Sequence, residues 1–75
     1  MKLSEALGVA LRQYRNNKEM SQIDVAAIAD MERSSVSAIE NGRHNISMQN
    51  FIRLCDAMEA DPKKVFETAL EKMGR

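Results

Sequence analysis

The chain has 75 residues, one cysteine, one proline and equal numbers of acidic and basic side chains, eleven of each. That length closes around one small core and buries little more than about 60% of the unfolded surface, so support from a second copy is expected. A lone cysteine excludes an internal disulfide and suits a reducing cytoplasm; no Cys/His cluster has metal-ligand spacing, and Met1-Lys2 is not followed by the long apolar run of a signal peptide or membrane span.

Apolar periodicity predicts five helices and no strands, an all-α fold. Helix one is expected from about Ser4, as its cap, to about Asn17, with Leu3, Leu7, Ala10, Leu11 and Tyr14 on one face. Gly8 inside it costs roughly 1 kcal/mol relative to alanine and points to a close contact. Asn16-Asn17-Lys18 makes a turn, and Met20 is placed to pack under the start of helix two against Val25.

The stretch Ser21–Gly42 organises the rest. Ser21 has the chemistry of an N-cap, and Val25, Ala26, Ile28 and Ala29 supply an apolar face. Asp30-Met31-Glu32 breaks the pattern, Val36 and Ile39 resume it, and Asn41-Gly42 stops it with a glycine able to enter the left-handed region. Arg33, Ser34, Ser35, Ser37 and Ala38 then face outward. Two short helices joined by such a corner form a helix-turn-helix, whose second helix can be presented to a DNA major groove.

Downstream, Ser47 is a predicted N-cap for helix four, Met48 to about Glu59, with Met48, Phe51, Cys55 and Met58 on one face and Leu54 beside them. Ile52 falls at the edge. Asp61-Pro62 starts helix five, because aspartate caps and proline suits the first helical position. Val65, Phe66 and Leu70 form its apolar face, flanked by Ala69 and Met73. Residues 1–75 read as one helix-turn-helix domain, without repeats or linker.

Arg12 and Arg15, Ser21-Gln22, Ala26, Val36, Ile39 to Gly42, Asn45, Ser47, Phe51, Leu54 and Met58 together resemble the Cro/cI-type (XRE-class) helix-turn-helix regulators. That class includes phage repressors, restriction–modification controllers and antitoxins. The resemblance spans almost the whole chain and implies a five-helix, lambda-repressor-like DNA-binding fold. Asp30 replaces a common corner glycine, and Ile46 a proline common before helix four.

The resemblance implies that Arg15 and Glu40 pair as a clamp between helix one and the recognition helix. It also implies that Gln22 bonds a DNA phosphate while bracing that helix, and that Arg43, His44 and Asn45 lie along the sugar–phosphate backbone. Asn41 and Ser35 are further candidates for phosphate contacts. Arg33, at the start of the recognition helix, can donate two hydrogen bonds to guanine O6 and N7; otherwise it is a solvated arginine beside Glu32 or Asp30. Ser34 and Ser37 are short base-edge candidates, so part of the specificity is expected from DNA shape.

Cys55 reads as a small buried hydrophobe, and no acid–base pair or activated nucleophile suggests an enzyme. No cofactor, metal or small-molecule ligand is expected. The expected partner is double-stranded DNA, bound by a homodimer in the cytoplasm, with Ile52, Phe66, Leu70 and Met73 as the candidate dimer surface. The neutral net charge predicts weak non-specific binding. It also leaves open a protein-interaction module of the same fold, and an antitoxin of that fold is a further alternative. The Glu32-Arg33 start of the recognition helix most resembles the controllers.

Overall fold

Local chemistry sets where each helix begins and ends. The computed structural model describes residues 1–75 and contains α1 (Leu3–Asn17), α2 (Gln22–Ala29), α3 (Arg33–Glu40), α4 (Met48–Ala57) and α5 (Pro62–Lys72). Ser21 Oγ accepts the Asp24 amide and Asp24 Oδ2 accepts the Ser21 amide, each at 3.0 Å, a reciprocal capping box. Ser47 Oγ accepts the Asn50 amide at 3.1 Å, and Asp61 Oδ1 accepts the Lys63 amide at 3.0 Å with Pro62 opening α5. Ser4 does not cap α1. The helix starts at Leu3 because the Lys2 amide is satisfied by Glu5 Oε1 at 2.8 Å, which places Ser4 inside the first turn.

All five helices stop in the same way. Glu19, Asp30, Gly42, Glu59 and Gly74 adopt φ of 57°, 56°, 72°, 53° and 82°, and the next amide in each case reaches back over the last turn. At α3 the Gly42 amide bonds Ile39 O and the Arg43 amide bonds Ala38 O, both at 3.0 Å.

The core draws on every helix. Leu7 and Leu11 of α1, Val25 of α2, Val36 and Ile39 of α3, Phe51, Leu54 and Cys55 of α4, and Val65 and Ala69 of α5 are buried together. Helix α1 packs on α3 and α5, α2 on α3 and α4, and α4 on α5. The Phe51 and Phe66 rings meet edge to face, centroids 6.5 Å apart. Burial of Cys55, with Asp56 and Asp61 near it, pushes its thiol pKa up to about 12.

Several apolar positions lie elsewhere than expected. Ile28 is 63% exposed, because nearly every residue of α2 is apolar and only Val25, Ala26 and Ala29 face the bundle. Met48 is 66% exposed, since it occupies the first turn of α4 beyond the core. Leu3, at the free end of α1, is also exposed. Phe66 and Leu70 are only half-buried; the fully buried face of α5 is Val65 and Ala69.

Candidate nucleic-acid interface

The outward helix α3 is fixed by its own last residue. Glu40 is buried, with 3% of its side chain exposed, yet it is fully hydrogen-bonded. Its Oε2 accepts Arg15 Nε at 2.7 Å. Its Oε1 accepts Arg15 Nη2 at 2.9 Å, Gln22 Nε2 at 3.0 Å and Arg12 Nε at 3.3 Å. Arg15 also donates from Nη1 to Met20 O at 2.8 Å, tying in the α1–α2 turn. One carboxylate therefore joins α1, α2 and α3.

Burial is the largest influence on the Glu40 carboxyl and favours its neutral form. The hydrogen bonds from Arg15, Gln22 and Arg12, with the charge of Arg15, outweigh burial and hold the pKa below its ordinary 4.5. The hydrogen bond to Glu40 raises the pKa of Arg15 in turn. Arg12 carries the family resemblance, but its part in the clamp was not visible in the sequence. Its Nη2 donates to Asn41 Oδ1 at 3.0 Å, which turns the Asn41 amide nitrogen towards Ser37 Oγ, 3.4 Å away.

Gly8 sets the spacing between α1 and α3. A Cβ there would lie 2.4 Å from Ile39 O and 2.7 Å from Glu40 O, both backbone atoms that cannot swing aside. Gly42 combines its left-handed backbone with a close approach to Glu5, 3.0 Å from where its Cβ would be. The last turn of α3 thus lies directly against α1, and its first turn projects.

Arg33 and Ser34 are exposed, whereas Ser35, Ser37 and Ala38 are half-buried on the flanks of α3. Asn41, Arg43, His44 and Asn45 are exposed in and after the helix end, and Gln22 is half-buried against Glu40. Both ion pairs of the chain end at Glu40, so neither Arg33 nor Arg43 is neutralised by a carboxylate.

On the α4–α5 side, Met48, Phe51, Ile52, Pro62, Lys63, Phe66 and Glu67 line an open, largely apolar groove of about 370 Å³. Ile52 and Phe66 are therefore brought together, while Leu70 and Met73 lie outside the groove. No group of three or more His, Cys, Asp or Glu side chains has metal-binding geometry, and no helix is long and apolar enough to cross a membrane.

Residues 6–65 match the helix-turn-helix domain family. The chain is 34% identical over 61 residues to control protein C.BamHI of Bacillus amyloliquefaciens, covering 80% of this chain and 75% of that protein. Its fold matches the crystal structure of the clp gene regulator ClgR from Corynebacterium glutamicum with TM-score 0.95 and 30% identity, over 97% of this chain and 95% of the other. It also matches the restriction–modification controller protein C.AhdI from Aeromonas hydrophila, with TM-score 0.79 and 31% identity over 83% and 94% of the two chains. A carboxylate-locked outward helix on this bundle, with that kinship, makes the chain a member of the Cro/cI-type (XRE) helix-turn-helix family: a DNA-binding regulator of the controller-protein type, and not an enzyme.

Proposed function

We propose that this protein is a sequence-specific regulator that binds a near-palindromic operator as a homodimer, with α3 of each subunit in the major groove. The observation that carries the reading is the lock at Glu40, which holds the last turn of α3 against α1 and leaves its first turn free. Eight residues of helix span about 12 Å, so only one turn meets base edges. In this reading Arg33 addresses guanine, and Ser34 and Ser37 reach neighbouring edges or bridge through water.

Phosphate contacts fall to Gln22, Ser35, Asn41, Arg43, His44 and Asn45. Gln22 gives one amide hydrogen to Glu40 and keeps a second for a phosphate. Asn41, already oriented by Arg12, presents its amide nitrogen on the same flank.

One subunit offers too few base contacts for tight binding. Pairing two subunits, with their recognition helices roughly 34 Å apart, supplies the rest. The α4–α5 side is the proposed dimer surface, with Ile52 and Phe66 at its centre and Leu70 and Met73 towards its edge; a second copy would cover the groove. The kinship with C.BamHI and C.AhdI favours a restriction–modification controller.

The test is titration of duplexes against Arg33→Ala and Arg43→Ala at several salt concentrations. Arg33→Ala should relax preference at one base position, at a cost of about 1–3 kcal/mol on the preferred sequence. Arg43→Ala should weaken all sequences alike and lower the salt slope by about 1. A wild-type chain indifferent to every duplex at low salt would instead make it a protein-interaction module.

A further inference from the structure

Two of the carboxylates around α3 have structural work: Asp24 caps α2 and Glu40 forms the lock. Asp30 lies in the corner, off the helix, and the fourth, Glu32, stands beside Arg33 at the start of α3. It is exposed, stands immediately before α3, makes no side-chain cap and belongs to no ion pair. Its only side-chain partner is the Ser34 hydroxyl, which donates to Oε2 at a long 3.4 Å. The helix dipole favours a carboxylate at this N-terminus, but on a helix that meets a polyanion it lowers affinity for every sequence, and what it can return to recognition is discrimination.

We propose that Glu32 is a specificity-determining residue that selects cytosine next to the base pair addressed by Arg33. The inference rests on the DNA-binding reading above. Cytosine offers the groove a donor, its N4 amine, and a carboxylate offers only acceptors. Guanine presents O6 and N7 and thymine presents O4, so both repel Glu32. Adenine offers N6 but sets N7 beside it, against the second carboxylate oxygen. The Ser34 hydroxyl, bonded to Oε2, biases the carboxylate towards α3 and leaves Oε1 for the base.

The experiment is selection of bound duplexes from a randomised pool with wild type, Glu32→Ala and Glu32→Gln, alongside titration of each with random duplex. Wild type should enrich cytosine at one position per half-site. Glu32→Ala should lose that preference by on the order of tenfold, keep the others and bind random duplex more tightly. Glu32→Gln should move the same position towards adenine, because a carboxamide pairs with N6 and N7 together. Identical selected pools for all three proteins would overturn the assignment of Glu32 while leaving DNA recognition intact. A wild type that selects no sequence would overturn the DNA reading itself.

Discussion

Glu40 concentrates the electrostatics of the fold in one side chain. Removing it leaves Arg15, only 11% exposed, without its bidentate partner. Glu40→Ala should therefore cost roughly 3–5 kcal/mol in denaturant unfolding, the range for breaking a buried pair from one side. Arg12→Ala should stay within about 1 kcal/mol, since Arg12 is 44% exposed and its bond is longer. Because the folded-state pKa of Glu40 is depressed, its stabilisation is complete above the ordinary 4.5 and is lost as pH falls through the lower folded value. Unfolding midpoints measured from pH 6 downward should fall below about pH 4.5, and less steeply in Glu40→Gln. The pairing of Arg15 with Glu40 followed from a family resemblance. The bonds of Arg12 to Glu40 and Asn41 did not, because they join residues 28 and 29 positions apart and depend on how α1 lies across α3.

Among the elements, α1 and α3 approach so closely at Gly8 that no Cβ fits between them. Gly8→Ala improves helix propensity by about 1 kcal/mol, yet forces a methyl into the α3 backbone. The clash should win, with a net loss of about 1–3 kcal/mol in thermal unfolding and a shift of α3 visible in amide NMR spectra. Helix starts were legible at Ser21, Ser47 and Asp61 because capping is settled within three residues of chain. The buried side of α2 was not. An eight-residue helix that is apolar nearly all round carries no phase, so only its neighbours decide that Ile28 faces solvent. The end of α1 at Asn17 was legible from the Asn16-Asn17-Lys18 turn. Helix α4 stops at Ala57, short of the expected Glu59, which adopts a left-handed backbone that usually announces itself with glycine.

For the whole molecule, the open α4–α5 groove is the most apolar of three surface clefts, of about 370, 320 and 240 Å³. Ile52→Lys changes a side chain that is 40% exposed and so should leave the monomer fold intact. It should shift sedimentation towards single subunits at micromolar concentration and weaken operator binding without changing base preference. Unaltered sedimentation would place the dimer contact elsewhere. Cys55, sealed at the junction of α4 with the core, has a further consequence. A thiol that is both shielded and reluctant to ionise is attacked only after the bundle opens. Its alkylation rate by a neutral-pH thiol reagent should therefore report the open fraction under native conditions, and should slow by the same factor as any ligand closes that fraction down. The chain carries its own gauge of how much of it is open at any moment, and duplex DNA should lower the reading.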